Sequence, residues 1–333
     1  MTALTPHITR LAPSPTGALH LGNARTFLVN WLMARQNGWR ILLRIEDLDG
    51  PRIKRHADEQ LIDDLRWLGI DWDEGPLYQS TRTASYDGAV EQLVAGGLAY
   101  PCVCSRKEVD LAASAPHAED GAAVYPGTCR GRFATVGQAF AAAGRTPAMR
   151  FRVDTPELTF DDGFAAADRW QASSEPACVN GGYHHICRPA RDLGDFVIRK
   201  SDGTAAYQLA VVVDDAAAGV TEIVRGDDLL DSTPRQIMLY RALGLGDRIP
   251  RYWHLPLVVG EDGRRLAKRH GDTRLASYRQ AGVRAGEILA LLGRWCGMGL
   301  PTPVQSAADL VGRLDLARVP RGQIVFTPGD LAL

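Results

Sequence analysis

Several features are missing from this sequence, and each absence excludes a class of protein. No run of about eighteen apolar residues occurs, so we expect no transmembrane helix. The N-terminus has no basic segment followed by an apolar one, which argues against a signal peptide and makes the cytoplasm the expected compartment. The formal net charge of −1 is not that of a protein that coats DNA or RNA, although a local basic patch is still compatible with RNA binding.

Cysteine is scarce, with six residues in a chain that we expect to be cytoplasmic. Such cysteines are thiols or metal ligands more often than disulfides. Cys102, Cys104 and Cys129 lie close together in the sequence and offer three of the four ligands of a tetrahedral zinc site. From spacing alone, zinc binding and three reduced thiols are equally good interpretations. His117 lies in the same stretch and is one candidate for the fourth ligand.

A second group of metal-ligand types lies further along the chain. Cys178 and Cys187 flank the adjacent His184 and His185. The crowding of these residues argues against a second metal site, and we assign them no role.

The N-terminal residues have the pattern of a strand–helix–strand unit. Residues 7–12 form a short apolar run that ends at prolines, which predicts a buried strand. Apolar side chains then recur at helical spacing over residues 20–37, and Gly38 is well placed to end that helix. Residues 40–46 form a second, almost continuously apolar strand, as is typical of a parallel sheet. We therefore predict a right-handed βαβ unit and an α/β fold.

The remainder of the chain continues this pattern around one unusual segment. Residues 98–145 hold the cysteine cluster and an Ala/Gly-rich stretch, and they read as an insertion. The other predicted elements are helices over residues 56–68, 84–95, 234–243 and 288–295, and strands over residues 221–225 and 252–259.

Two short segments have the composition of a phosphate-binding site. Gly17, His20 and Gly22 stand at the start of the first predicted helix, where free backbone N–H groups and the helix dipole attract anions. Small residues let a phosphate approach the backbone, and His20 can donate to a phosphate oxygen. Lys268, in the polar segment 265–269, adds positive charge. Taken alone, His20 can be ordinary helix-start chemistry and Lys268 a solvated loop lysine.

The order of several segments is more specific than any one of them. They are RLAPSPTGALHLGN at residues 10–23, RIEDLD at 44–49, VRGDDL at 224–229 and RLAKR at 265–269. Together they closely resemble segments of the glutamyl- and glutaminyl-tRNA synthetases, which are class I aminoacyl-tRNA synthetases, from residue 7 to about residue 275. The resemblance implies a Rossmann-like parallel sheet that activates a carboxylic acid with ATP, and ATP enters with Mg²⁺ as a substrate.

The resemblance also implies which residues bind ATP. They are His20, Gly22, Asn23, Arg265 and Lys268, of which His20 and Lys268 are expected to be catalytic. Two positions depart from the family pattern, because Asn23 stands where histidine is usual and Ala267 stands where serine is common. Asn23 can still hydrogen-bond a nucleotide, and Arg265 keeps the positive charge, so we expect ATP binding to survive both changes.

The same resemblance implies that the activated acid is glutamate. An amino acid with an acidic side chain needs an anion for its ammonium group and a cation for its second carboxylate, and arginine binds a carboxylate through two parallel hydrogen bonds. The family's glutamate-binding residues fall on Arg10, Glu46, Tyr207 and Arg225, and we expect Ala12 and Ser14, which line the same strand end, to bind glutamate with them. Tyr207 can instead be a core aromatic, and Glu46 can instead pair with a neighbouring arginine.

One truncated branch of the family matches this chain in two further respects. Residues 269–333 are too few for the anticodon-binding domain of a glutamyl-tRNA synthetase. The branch also carries a Cys-x-Cys, Tyr, Cys cluster, which implies one structural zinc ion held by Cys102, Cys104, Tyr125 and Cys129. Its members activate L-glutamate without tRNA and transfer it to queuosine at the wobble position in the anticodon stem-loop of tRNA(Asp). We expect a monomer.

Other functions stay open at this point. They are a compact glutamyl-tRNA synthetase that charges tRNA(Glu), a non-catalytic paralogue, and a nucleotidyltransferase of the same superfamily. The retained charges of Arg10, Glu46, Arg225 and Lys268 argue against a non-catalytic paralogue. The expected regions are the first half of the catalytic domain, the zinc-binding insertion, the second half with an acceptor-type insertion, and the lysine loop with a short helical region and no anticodon-binding domain. Their limits are residues 1–97, 98–145, 146–257 and 258–333.

Overall fold

Strands and helices alternate along the chain in the order expected of an α/β fold. The computed structural model describes residues 6–50, 53–105, 107–109, 124–165, 182–264, 266, 272–300 and 303–330. Among these residues, no helix is both long and apolar enough to cross a lipid bilayer. In chain order, the elements are β1 (Ile8–Leu11), α1 (Leu21–Asn37), β2 (Arg40–Ile45), α2 (Ala57–Trp67), β3 (Glu74–Tyr78), α3 (Thr83–Ala95), β4 (Ala99–Cys102), α4 (Val136–Ala143), β5 (Ala148–Phe151), β6 (Leu158–Asp162), β7 (Tyr183–Cys187), α5 (Pro189–Asp192), β8 (Phe196–Arg199), α6 (Tyr207–Ala217), β9 (Glu222–Gly226), α7 (Ser232–Ala242), β10 (Arg251–Leu255), β11 (Val258–Val259), α8 (Leu275–Gln280), α9 (Ala285–Trp295) and β12 (Ile324–Val325).

Two parallel half-sheets form the centre of the fold. Strands β1, β2 and β3 pair in parallel in that order. Strands β6 and β9 pair in parallel with the two sides of β10, and β7 adds an antiparallel edge strand next to β6. The halves meet where the backbone N–H of Thr221 donates to the carbonyl oxygen of Ile8 at 2.8 Å. Such a point, at which the strand order reverses, is the usual ligand position in α/β sheets.

The first βαβ unit confirms the prediction for residues 7–46, with small changes at the ends of its elements. Helix α1 begins after His20, whose side chain accepts a hydrogen bond from the backbone N–H of Asn23. It ends at Gly38, which has a left-handed φ of 67° that glycine adopts without steric cost. Strand β2 is buried from Ile41 to Ile45, as expected for a strand covered on both faces.

The predicted strand over residues 252–259 is wrong as a single strand. Strand β10 ends at Leu255, and the chain resumes as β11, which pairs with β12 instead of the main sheet. Pro256 lies between the two strands and has no N–H to donate to a sheet. Its carbonyl oxygen instead accepts from the buried guanidinium of Arg25 at 2.8 Å.

The cysteine-containing segment is tied to residues beyond its predicted limits. Strand β4 pairs antiparallel with β5, and β5 pairs antiparallel with β8, so one small sheet joins residues from both sides of position 145. The small buried core of this segment consists of Tyr100, Cys102, Tyr125 and Cys129. The predicted domain limits stay predictions.

The C-terminal helix α9 shares its core with α1. Leu28 of α1 and Leu289 and Leu292 of α9 are all fully buried in one cluster. We expect Leu289→Ala to lower the free energy of unfolding by about 2–5 kcal/mol, because the substitution leaves a cavity in that shared core. The loss should fall within one cooperative transition, measured by urea unfolding followed with both circular dichroism and tryptophan fluorescence.

The exposed Val94 of α3 supplies the control for this change. Val94→Ala should shift the free energy of unfolding by less than about 0.5 kcal/mol. A separate early transition in Leu289→Ala would contradict a core shared by α1 and α9.

Candidate active site

An open cleft of about 440 Å³ lies at the carboxyl ends of β1, β2 and β9 and at the start of α1. It lies at the junction of the two half-sheets. The predicted site residues that line it are Arg10, Ala12, Ser14, His20, Gly22, Asn23, Glu46, Tyr207 and Arg225. The fold therefore brings together every predicted glutamate-site and ATP-site residue that the structure describes. Arg265 and Lys268 lie outside the described residues, and the binding roles of all these residues stay predictions.

The start of α1 is shaped for the close approach of an anion. His20 caps the helix, and its Nδ1 lies 3.4 Å from the backbone nitrogen of Asn23. A Cβ added to Gly22 would lie 3.3 Å from the His20 ring, so the missing side chain lets that ring fold against the helix. A Cβ on Gly17 would meet no atom within 4 Å, which leaves the backbone there open to a ligand.

The segment after the predicted lysine loop is fixed against this helix start. The backbone N–H of Leu21 donates to the carbonyl of Thr273 at 3.1 Å, and the N–H of Leu275 donates to the carbonyl of Leu19 at 2.9 Å. His20 and Arg274 form an antiparallel bridge. A neighbouring cavity of about 660 Å³ is bordered by both Gly17 and residues 272–274. The end of the loop that carries Lys268 is thus held beside α1.

A chain of buried charges underlies the cleft. Arg44 is fully buried and pairs with Asp215, while its second terminal nitrogen donates to Glu46 at 2.9 Å. The Nε of Arg10 lies 3.6 Å from the same Asp215 carboxylate. Burial alone would favour a neutral Arg44, but the carboxylates of Asp215 and Glu46 outweigh it and hold the pKa of Arg44 above its usual value.

Arg225 is held differently, because its partners are neutral. The guanidinium is buried and donates to His254 Nε2, Gln236 Oε1 and Thr233 Oγ1, each at 2.9 Å. Among the described residues, no carboxylate oxygen lies within ion-pair distance of it. A buried cation without a direct counter-ion is a strong candidate for binding an anion.

Tyr207 is the first residue of α6, and its side chain lines the cleft. Burial raises the pKa of its hydroxyl, so the group is neutral and can donate. The alternative interpretation was that Tyr207 is a core aromatic. Its position does not fit that interpretation, because the side chain lines the cleft and is only partly buried.

The three clustered cysteines form the one group of at least three His, Cys, Asp or Glu side chains with metal-ligand geometry in the part of the chain that the structure describes. The thiols of Cys102, Cys104 and Cys129 lie within 4.8 Å of one another. The Tyr125 hydroxyl lies 3.4 Å from the Cys102 sulfur and 3.6 Å from the Cys104 sulfur. Three sulfurs and one oxygen thus converge on one point, with Tyr125 where the fourth ligand was predicted and His117 outside the described residues.

The surroundings of this group act in opposite directions on two of its thiols. Burial raises the pKa of Cys104 to about 11. Burial acts the same way on Cys129, but hydrogen bonds from the Val103 backbone and the Tyr125 hydroxyl outweigh it and hold that pKa below its usual value. Arg150 donates from Nε to the Cys102 sulfur at 3.3 Å, and its guanidinium lies 3.8 Å from the Tyr125 ring centre. A cation beside the cluster lowers the cost of gathering negatively charged ligands there.

The other histidines and cysteines do not gather into a second site among the described residues. His184 pairs with Asp161 at 2.7 Å, while His185 is buried and stacks on Phe160 at 4.7 Å. Cys187 is buried, and Cys178 lies outside the described residues.

Sequence reasoning assigned no role to several residues that shape the site. Thr233 and Gln236 lie near the start of α7, and nothing in their spacing indicated contact with Arg225. Asp162 and His254 were missed altogether, and the available signal was only that each lies on a buried strand that a charged side chain rarely occupies.

Comparison with known proteins identifies the class. The family model described as tRNA synthetases class I (E and Q), catalytic domain, matches residues 7–306. A crystal structure of a glutamate tRNA ligase from Elizabethkingia meningosepticum, in complex with its amino acid, superposes with a TM-score of 0.76 at 26% identity. That match covers 98% of this chain and 68% of the ligase chain. The fold and cleft are therefore those of a class I tRNA synthetase catalytic domain.

Two relatives show to which branch of the class I tRNA synthetases the chain belongs. The chain is 47% identical to the glutamyl-Q tRNA(Asp) synthetase of Symbiobacterium thermophilum, over 94% of this chain and 93% of the relative. It is 44% identical to the glutamyl-Q tRNA(Asp) synthetase of Nitratidesulfovibrio vulgaris, over 97% of this chain and 96% of the relative. The chain belongs to the glutamyl-Q tRNA(Asp) synthetase family.

The buried Arg44–Asp215 pair makes a direct prediction about stability. Arg44→Met should lower the free energy of unfolding by about 3–5 kcal/mol, because it leaves the fully buried Asp215 carboxylate without its main partner. Arg40 on the same strand pairs with Glu74 in a half-exposed position, so Arg40→Met should cost less than about 1 kcal/mol. Urea unfolding of both variants measures the difference in the free energy of unfolding. Equal losses in the two variants would contradict the claim that the buried ion pair is worth more than the half-exposed one.

Proposed function

We propose that this protein activates L-glutamate with ATP, without tRNA, and then transfers the glutamate to queuosine at the wobble position of tRNA(Asp). The observation that carries the proposal is the convergence of Arg10, Arg225 and Glu46 on the cleft beside the start of α1. An anion suits the ammonium group of glutamate, and the two cations suit its side-chain carboxylate. The names of the relatives support the choice of RNA.

In the first step, the α-carboxylate of glutamate attacks the α-phosphorus of ATP. A bond forms between a carboxylate oxygen and that phosphorus, the bond to pyrophosphate breaks, and glutamyl-adenylate results. Negative charge builds on the phosphates, and the proposed donors are the N-terminus of α1, His20 and Lys268. Glu46 is proposed to hold the ammonium group, while Arg10, Tyr207 and Arg225 hold the side-chain carboxylate.

In the second step, a hydroxyl of the cyclopentenediol of queuosine attacks the activated carbonyl carbon. An ester forms, AMP leaves with the electrons of the broken bond, and the hydroxyl proton is released. The cleft contributes mainly by positioning the two reactants.

The proposal is tested with radiolabelled glutamate, ATP and three RNAs. These are tRNA(Asp) that contains queuosine, the same tRNA with unmodified guanosine, and tRNA(Glu). We expect label only on the queuosine tRNA, and removal of the 3′-terminal adenosine of that tRNA should not abolish the labelling. Label on tRNA(Glu) alone would instead establish a compact glutamyl-tRNA synthetase. Absence of glutamate-dependent ATP–pyrophosphate exchange would indicate a non-catalytic paralogue.

We also propose that Cys102, Cys104, Tyr125 and Cys129 bind one zinc ion with a structural role. Four ligands fill a tetrahedral zinc site and leave no open position for chemistry. The four side chains come from residues 102–104, at the end of β4, and from residues 125–129, so the ion would clamp two segments whose own buried core is small.

The zinc proposal predicts that Cys129→Ser loses metal. The wild-type protein should retain about one zinc ion per chain after gel filtration, measured by mass spectrometry of the metal, since four protein ligands bind it. Cys129→Ser should retain much less zinc and should be cleaved faster by proteases near residue 103. It should keep part of the glutamate-dependent ATP–pyrophosphate exchange activity. Cys296→Ser, at a buried thiol far along the chain, is the matched control and should retain zinc fully. Equal zinc content in the two variants would overturn the assignment.

A further inference from the structure

Arg225 is the first member of a buried hydrogen-bond chain that leads away from the cleft. Its Nε donates to His254 Nε2 at 2.9 Å, and His254 Nδ1 lies 2.5 Å from Asp162 Oδ2. The side chains of His254 and Asp162 are fully buried, and Arg225 is 4% exposed. The three residues come from β9, β10 and β6, which are adjacent strands of one half-sheet.

The Asp162 end of the chain is ionised. Its Oδ1 accepts backbone hydrogen bonds from Phe164 at 2.9 Å, Ala165 at 2.6 Å and His254 at 3.2 Å. Burial acts to raise the pKa of this carboxyl, but His254 and the backbone donors outweigh burial and hold it below its usual value. A carboxylate with four donors around it can only accept hydrogen bonds.

The ionised Asp162 determines which nitrogen of His254 carries the proton. Since Asp162 Oδ2 can only accept, the proton between the two groups belongs to His254 Nδ1. Burial lowers the pKa of His254, so the ring is neutral and its Nε2 is an acceptor. The N–H of Arg225 Nε points at that acceptor. With the other tautomer, two donors would face each other inside the protein.

The other side of the guanidinium is fixed in the same way. Gln236 Oε1 and Thr233 Oγ1 accept from its two terminal nitrogens at 2.9 Å each. The amide of Gln236 is itself oriented, because its Nε2 donates to Gln208 Oε1 at 3.1 Å. Every acceptor that contacts Arg225 is therefore neutral. The nearest carboxylate in this chain of hydrogen bonds is that of Asp162, and the imidazole ring of His254 lies between it and Arg225.

We propose that Asp162 and His254 are positioning residues for Arg225, which set the plane of its guanidinium and leave its charge available to the side-chain carboxylate of glutamate. A carboxylate in direct contact with Arg225 would give the same orientation but would compete with the ligand for the cation. An imidazole between the two charges provides the orientation without that competition. This inference rests on the proposed binding of glutamate in the cleft.

The first test is Asp162→Asn in the full chain. The asparagine oxygen keeps the backbone hydrogen bonds, while its amide N–H groups face His254 Nδ1, so the ring proton moves to Nε2 and points at Arg225. We expect the KM for glutamate in ATP–pyrophosphate exchange to rise about ten-fold or more, since a hydrogen bond to a charged group is replaced by a contact between donors. The KM for ATP should change less than about two-fold, because the phosphate-binding groups are not part of this chain of bonds. A merely structural role would not separate the two KM values.

The neighbouring Asp161 offers a matched control. It is exposed and pairs with His184 on the opposite face of β6. Asp161→Asn removes the same charge one residue away and should leave both KM values and the melting temperature unchanged.

A second pair of variants keeps the inference falsifiable if Asp162→Asn does not fold. The side-chain oxygen of glutamine in His254→Gln can accept from Arg225, whereas His254→Leu offers no acceptor. We expect His254→Gln to retain a glutamate KM at least about five-fold lower than that of His254→Leu, from one restored hydrogen bond.

The outcomes separate this inference from the proposed function. If the wild-type protein shows no glutamate-dependent exchange, the proposed function fails and the inference falls with it. If the wild type exchanges normally, the inference is overturned by an unchanged glutamate KM in Asp162→Asn or by an equal rise in the KM for ATP. Should that variant not fold, indistinguishable His254→Gln and His254→Leu variants would overturn it.

Discussion

The buried ion pair between Arg44 and Asp215 is the contact on which the site depends. It joins β2 of the first half-sheet to α6 of the second half, and both side chains are fully buried. Removing two charges from water is costly, and the cost is offset only where both groups have further partners. Glu46 supplies one for Arg44, and Arg10 supplies one for Asp215. Arg10 and Glu46, which support this ion pair, therefore also line the cleft.

The two cleft arginines are held by opposite means, and this difference has a chemical consequence. Arg10 has a carboxylate partner in Asp215, so part of its charge is already balanced before any ligand arrives. Arg225 has neutral acceptors on all three nitrogens and a fixed orientation. Arg10 therefore contributes a cation that the fold itself stabilises, while Arg225 contributes one that remains available to an anion. A site with both can bind a carboxylate without having to break an internal ion pair at Arg225.

Local patterns were sufficient to predict the framework, and the family resemblance indicated the groups that line the cleft. Helical periodicity and Gly38 located α1, and the motif residues Arg10, Glu46 and Arg225 do line one cleft. The apolar run over residues 252–259 misled, because its hydrophobicity is continuous while Pro256 interrupts the sheet. The contact of Asp162 with His254 spans 92 residues, and no local pattern reveals it. Burial of a lone acid and a lone histidine becomes informative only when adjacent strands bring them together.

The same reasoning explains why a neutral histidine is the partner of Arg225. A buried arginine needs acceptors for its N–H groups, and leaving one unmet costs about 1–3 kcal/mol. Serine, threonine or glutamine can meet that need, and Thr233 and Gln236 do so at the terminal nitrogens. A hydroxyl or amide can rotate and present a donor instead, whereas an imidazole whose Nδ1–H is held by Asp162 presents a lone pair in one direction. The rigid acceptor stands at Nε, the nitrogen nearest the β9 backbone, where it limits rotation of the whole guanidinium.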